Sequence, residues 1–212
     1  MFIGHASHEL QTPLAVCQNR LEILLNDPQL TEKQLQDIVK ARQTLDYATK
    51  LNKTLLLLSK IENRQFYESQ DIEVNELIKR LLKDYSEIYS GRQIDYIVEE
   101  KGNMHLYMDD TLASVLFSNL IKNAFIHNIE GGKLKIFIST DQIIFVNTGN
   151  ETPLDTNKIF MRFYHESKDN NSMGLGLSLV YSICQLYGIT LSYNYENKEH
   201  FFILHRKKQN ED

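Results

Sequence analysis

The sequence predicts an α plus α/β chain in two parts. Residues 1–66 form a hairpin of two long helices, and residues 67–212 form an α/β sandwich, a mixed sheet with helices on one face. Three observations carry this. Over the first 65 positions apolar residues recur at three- and four-residue steps, whereas from about Gln70 short alternating runs separate shorter helical ones. Asn26-Asp27-Pro28-Gln29 breaks the first helical run. Glycines then punctuate the second part at Gly91, Gly131-Gly132, Gly174 and Gly188.

Residues 1–26 read as a helix whose seam is Leu10, Leu14, Cys17, Leu21 and Leu24. Thr31 with Gln34 makes a capping box for a second helix running to about Gln65. Its apolar stripe is Leu35, Ile38, Leu45, Ala48, Leu51, Leu55 and Leu58. The pairs Leu24-Leu25 and the run Leu55–Leu58 make both stripes wider than one seam requires. A homodimeric four-helix bundle would cover them, as would packing on the rest of the same chain.

Asp71–Val74 reads as a short strand and Asn75–Ser90 as a helix closed by Gly91. Ile94–Val98 and Met104–Met108 alternate as strands, and Asp109 or Asp110 caps a helix to about His127. Lys133–Ser139 and Gln142–Asn147 form a hairpin around Thr140-Asp141. A short helix is expected around Ile159–Phe163, then a polar stretch, Tyr164–Ser172. Gly174 opens a helix through Tyr187 that Gly188 closes, and strands Thr190–Tyr195 and His200–His205 finish the sheet.

With 212 residues, 42% hydrophobic and 24% charged, the chain has the composition of an ordinary globular protein. Its net charge of −5 argues against a nucleic-acid partner. No window has the length of a membrane span and no signal peptide opens the chain. Cys17 and Cys184 lack metal-ligand spacing and suggest a reducing compartment. With only seven residues before His8, the chain is expected to be the C-terminal part of a longer protein.

Four stretches carry chemistry. In Ala6-Ser7-His8-Glu9-Leu10-Gln11-Thr12-Pro13-Leu14, His8 lies about 120–200° around the helix from Leu14 and Leu10 and faces solvent. Neutral imidazole is available near pH 7, and the Glu9 carboxylate beside it can take the ring proton as nitrogen attacks phosphorus. Asn119 and Asn123, four apart, project from one helical face, and an amide oxygen is a hard ligand suited to Mg²⁺. Asn147-Thr148-Gly149 ends a strand with an Asx side chain and a glycine, which allows close approach of a flat ligand. Met173-Gly174-Leu175-Gly176-Leu177 opens a helix whose free N–H groups suit phosphate, and the polar residues before it, including Lys168, are able to close as a lid.

Taken in order, these stretches resemble the sensor histidine kinases of two-component systems over nearly the whole chain. His8–Leu14 resembles the phosphoacceptor H-box, Asn119–Asn123 the N-box, Phe160-Met161-Arg162-Phe163-Tyr164 the F-box, and Gly174–Leu177 the second glycine box. The resemblance implies a dimeric hairpin followed by a Bergerat-type (GHKL) ATP-binding sandwich. His8 would take the γ-phosphate of ATP and pass it to an aspartate on the receiver domain of a response regulator. Glu9 matches the general base and Thr12 the polar position that orients water during regulator dephosphorylation. Asn123 matches the Mg²⁺-binding asparagine, Asn119 a second contact near the phosphates, and His127, Asn147, Gly149, Phe160, Phe163, Lys168, Gly174, Leu175, Gly176 and Leu177 the ATP pocket. A homodimer, a cytoplasmic location and a membrane-anchored parent protein follow as family expectations.

This chain departs from the family pattern at the adenine end. The usual Asp-x-Gly-x-Gly is replaced by Asn147-Thr148-Gly149-Asn150-Glu151, so the acceptor oxygen remains but its charge does not. The basic residue common three positions after the Mg²⁺ asparagine is Ile126, with His127 next to it, and Ser172 stands where another glycine often lies. The alternative function is a catalytically weak or phosphatase-biased module that mainly docks a response regulator.

Overall fold

A computed structural model describes residues 2–66, 68–149, 152–164 and 173–206, with side chains from residue 9 onward. The chain divides into two compact units, Met1–Gln65 and Phe66–Asp212.

The first unit is a pair of helices, α1 (Phe2–Leu25) and α2 (Glu32–Glu62). Between them Asp27 accepts the Gln29 N–H at 2.9 Å on its carboxylate, an Asx turn ahead of the second helix. The capping box forms: the Thr31 hydroxyl accepts the Gln34 N–H at 3.3 Å, and Gln34 Oε1 accepts the Thr31 N–H at 2.9 Å. The α1 seam differs from the expected one. The less exposed stripe is Gln11, Leu14, Gln18, Leu21 and Leu25, while Leu10 (52% exposed), Cys17 and Leu24 (46%) face outward. Both stripes share Leu14 and Leu21. Gln18 settles the choice by donating across the hairpin to Asp46 Oδ1 at 2.8 Å, which satisfies its amide within the seam. On α2, Leu35 is likewise exposed, while Leu56, Leu58 and Ile61 are buried.

The second unit runs β1 (Gln70–Glu73), α3 (Val74–Ile88), β2 (Asp95–Glu100), β3 (His105–Met108), α4 (Asp110–Ile126), β4 (Lys133–Ile138), β5 (Gln142–Thr148), α5 (Gly176–Leu186), β6 (Ile189–Glu196) and β7 (Glu199–Arg206). β1 and β3 pair antiparallel as a small sheet of their own. The main sheet has the order β2-β4-β5-β7-β6, with β2 parallel to β4 and the other pairs antiparallel. It is therefore the mixed sheet expected.

One face of that sheet is the core. Leu134, Ile136, Ile138, Ile143, Phe145, Phe202 and Leu204 are buried, as are Phe117, Ile121 and Phe125 of α4 and Ile183 of α5. Each large side chain buried in this way contributes about 1.5–3 kcal/mol. α3 sends Val74, Ile78 and Leu82 inward. No helix of the described residues is long and apolar enough to cross a membrane.

Two local expectations fail. Ile159–Phe163 is a series of turns and not a helix. Asp155 begins a turn as a helix cap would, its carbonyl accepting the N–H groups of Lys158 and Ile159, both at 2.9 Å, and its carboxylate that of Asn157 at 3.0 Å. Phe163, however, turns left-handed (φ 63°) and gives its N–H to the Gly174 carbonyl, so the turn does not propagate as a helix. Gly91 does not cap α3. It lies inside a 3-10 turn, Ser90–Arg92, and the left-handed residue is Gln93, with φ 52°.

Candidate functional site

The site of the second unit is set by two helices that run antiparallel. At one end the Asp109 side chain caps α4 by accepting the Leu112 N–H at 2.9 Å, and the Asp109 N–H donates to the Tyr187 hydroxyl just past α5. At the other end Asn119 meets Gly176, the first residue of α5, where a Cβ would sit 3.1 Å from Asn119 Oδ1. Asn119 is oriented by its own helix, since its Nδ2 donates to the Val115 carbonyl at 2.7 Å. Asn123 lies one turn further on, about 6 Å along the axis, and is half-buried.

The start of α5 is bare. Leu175 stands at the N-cap position with no side-chain cap, and the nearby Ser178 hydroxyl donates to the Leu175 carbonyl at 3.0 Å instead of accepting a helix N–H. Uncapped N–H groups at the positive end of a helix form an anion site. The helix begins at Gly176, two residues later than the sequence suggests, because Gly174 is left-handed with φ +62°. The same glycine packs on the F-box. A Cβ on Gly174 would fall 2.6 Å from the Phe163 carbonyl carbon and 2.7–2.8 Å from the Tyr164 oxygen and nitrogen. The Phe163 N–H donates to the Gly174 carbonyl at 2.9 Å, and Phe163 itself is left-handed (φ 63°) and 53% exposed. Phe160 stacks on Tyr181 of α5 with centroids 5.5 Å apart. Leu175 is buried and Leu177 half-buried.

The strand-end stretch lies deeper. Asn147 is 3% exposed and pairs in the ladder with Leu134 on one side and His200 on the other. Its Nδ2 donates to the Thr148 carbonyl at 2.9 Å, which turns the amide so that Oδ1 is the end left to accept. Gly149 passes against the His200 ring, where a Cβ would lie 2.6–2.8 Å from the ring atoms and 3.2 Å from the His127 carbonyl. His200 is buried and shares a 2.8 Å hydrogen bond between Nδ1 and the Tyr193 hydroxyl, which also accepts the Leu154 N–H at 3.0 Å. His127 is the exposed C-cap of α4, its N–H on the Asn123 carbonyl at 3.0 Å.

Arg92 braces that helix end. Its guanidinium donates to the carbonyls of Ile126 and of Asn128, the latter at 3.0 Å. Two cationic donors on the last carbonyls also oppose the negative end of the helix dipole. No sequence signal marked Arg92 or His200, because their partners are remote along the chain. Lys168, Glu151 and Ser172 lie outside the described residues. In the first unit His8 lies on α1, while its side chain falls outside the description; Glu9 and Thr12 are exposed on the same helix. Thr12 borders a shallow groove of about 490 Å³ with Gln11, Ala15, Val16 and Asn19.

A helical hairpin followed by a mixed sandwich, with an uncapped helix start beside Asn119, has the architecture of a phosphoacceptor hairpin followed by a GHKL-type ATP-binding domain. Comparison with known proteins agrees. The family model of the His Kinase A (phospho-acceptor) domain matches residues 1–64, and that of the histidine kinase-, DNA gyrase B- and HSP90-like ATPases matches residues 108–209. The chain belongs to the sensor histidine kinases of two-component systems, as the region carrying their phosphoacceptor and ATP-binding domains.

The heme sensor protein HssS of Staphylococcus aureus (strain Newman) is 30% identical over 205 residues, which are 93% of this chain and 44% of HssS. The chain thus spans less than half the length of such relatives. The catalytic domain of histidine kinase ThkA is 26% identical with a TM-score of 0.58, over 65% of this chain and 94% of that one. Full-length ShkA in complex with AMPPNP, 19% identical, shares the fold with a TM-score of 0.77 over 96% of this chain and 46% of its own.

Proposed function

We propose that the chain is an ATP-dependent histidine autokinase that passes its phosphoryl group to a response regulator. The observation that carries this is the meeting of Asn119, Phe163 and Gly174 at the bare start of α5, in a chain whose first unit matches a phosphoacceptor domain. ATP would lie with its adenine against Asn147 and Gly149 and its phosphates on the N–H groups at Gly176–Ser178. The Asn147 Oδ1 accepts the adenine amino group. Phe160 and Phe163 border the nucleotide, with Lys168 in the closing segment.

The donor set fits Mg²⁺. An amide oxygen such as that of Asn123 is a hard donor, and Mg²⁺ takes its remaining ligands from phosphate oxygens and water. Asn123 would be its protein ligand, and the ion supplies charge neutralisation on the phosphates. In the transfer step a His8 ring nitrogen forms a bond to the γ-phosphorus, the bond from that phosphorus to the bridging oxygen breaks, ADP leaves, and Glu9 takes the ring proton. Positioning and electrostatics supply most of the rate. Thr12 orients water in the opposing duty, in which that water attacks the phosphorus of the regulator's aspartyl phosphate, the acyl phosphate bond breaks and inorganic phosphate leaves.

The second unit is thus the donor and the first the acceptor, dimeric through the outward apolar stripe of α1. The regulator's receiver domain docks on exposed hairpin faces, and the parent protein is membrane-anchored with this region in the cytoplasm. The test is incubation with γ-labelled ATP and Mg²⁺. Acid-labile, base-stable label that disappears in His8→Gln is the expected result. Absent label together with undetectable nucleotide binding refutes the kinase and favours the docking module.

A further inference from the structure

Asn147 at the adenine end and Asn123 at the metal end belong to different elements, and one chain of hydrogen bonds joins those elements. The Thr148 carbonyl accepts Asn147 Nδ2 at 2.9 Å. The hydroxyl of the same threonine donates to Asn128 Oδ1, immediately beyond α4. Asn128 is buried, and its Nδ2 donates to the Lys133 carbonyl at 3.1 Å while its Oδ1 also accepts the Ile129 N–H at 3.0 Å. The Lys133 N–H returns to the Thr148 hydroxyl at 2.9 Å. Gly132 gives the cluster its room, since a Cβ there would overlap both Asn128 Oδ1 and Thr148 Oγ1. The hydroxyl is thus donor and acceptor at once, and it fixes the end of β5 to the end of α4.

We infer that Thr148 is a positioning residue that couples the two ends of the nucleotide site. It touches neither nucleotide nor metal. It sets the spacing between the Asn147 amide and the helix that carries Asn123. A ligand gripped at both ends gains from both grips only when their separation is held, and that gain appears as a coupling free energy between base and metal. This rests on the nucleotide reading given above and deepens it.

The experiment is calorimetric titration of the full chain with ATP, in Mg²⁺ and in EDTA, for the unaltered protein, Thr148→Val and Thr148→Ser. The expected result is that Mg²⁺ tightens ATP binding in the unaltered protein and that Thr148→Val reduces this enhancement about fivefold or more, the lower range of measured couplings. Mg²⁺-free affinity stays within about twofold, below that range. Thr148→Ser, which keeps the hydroxyl, restores the enhancement. Thr148→Ala makes the same comparison should the valine variant unfold. The inference is overturned by an equal loss of affinity with and without Mg²⁺, or by a valine variant that behaves as the serine one. Failure of the unaltered protein to bind ATP in either condition overturns the nucleotide reading itself, and the coupling with it.

Discussion

Gly174 and Gly188 offer a matched pair that separates backbone strain from steric crowding at the site. Both are left-handed, at φ +62° and +66°. Beyond Gly188 a Cβ would meet nothing within 4 Å, whereas at Gly174 it would meet three backbone atoms of Phe163 and Tyr164 at 2.6–2.8 Å. A left-handed alanine costs about 1–2 kcal/mol, so Gly188→Ala should lose that much and no more. Gly174→Ala carries the same strain plus an overpacking cost of about 1–3 kcal/mol, because backbone atoms cannot rotate away as a side chain can. Its total is therefore about 2–5 kcal/mol unless the F-box moves, and movement relieves strain only by displacing Phe163 from the helix start. Urea unfolding and ATP titration on both variants supply the assay. Gly174→Ala should lose nucleotide affinity in either case, and Gly188→Ala should keep it. Equal stability and equal affinity in the two variants would refute the crowding argument and the placement of the F-box.

Two more predictions rest on other parts of the molecule. Leu24, 46% exposed on the outward α1 stripe, should support dimerisation, so Leu24→Glu should move the sedimentation profile toward monomer; a profile unchanged from the unaltered protein removes that stripe from the interface. The Lys79 ammonium, then the Asn75 amide, hold the Glu100 carboxyl below its ordinary 4.5. A depressed carboxylate stabilises the fold above pH 4.5, and the contribution is lost as pH falls through the lowered value. Glu100→Gln should flatten that acid limb, with a small effect at neutral pH because the pair is exposed. An acid limb as steep as before assigns it to other carboxylates.

Local chemistry was legible in the sequence where it acts over a single turn. The Thr31–Gln34 box, the Asp109 cap and the four-residue spacing of Asn119 and Asn123 all depend on neighbours within four positions, and each appears in the helix expected of it. The α1 seam was not, because two overlapping stripes share Leu14 and Leu21 and only Asp46, 28 residues away, selects between them. Ile159–Phe163 has helical apolar spacing, yet Phe163 turns left-handed and spends its N–H on Gly174, remote along the chain. The floor of the strand-end site depends on the β5–β7 register that sets His200 beside Asn147, and no residue pattern encodes that register. The glycines fall between these cases. Their positions were visible, but which of them needed space rather than a turn followed only from what lies against them.

The replacement of the family's basic residue by Ile126 acquires a structural meaning from Arg92. Ile126 presents only its carbonyl to a cation, and the Arg92 guanidinium takes that carbonyl together with that of Asn128. Its charge thus offsets the negative end of α4 and holds the helix terminus on which His127 and Asn128 sit. A guanidinium committed to two carbonyls is not positioned for a phosphate, so Arg92 does not replace the missing base. In the proposed site the compensation of phosphate charge at this end shifts from α4 to the N–H donors of the uncapped α5 start and to the ion that Asn123 would hold, with Lys168 in the closing segment. Backbone donors are fixed by the fold and keep their partial charge at every pH, so this part of the phosphate site does not itself titrate, and its affinity should depend strongly on the metal. That same dependence is why the spacing held by Thr148, between the Asn147 strand and the Asn123 helix, governs how much of the binding energy the two ends can express together.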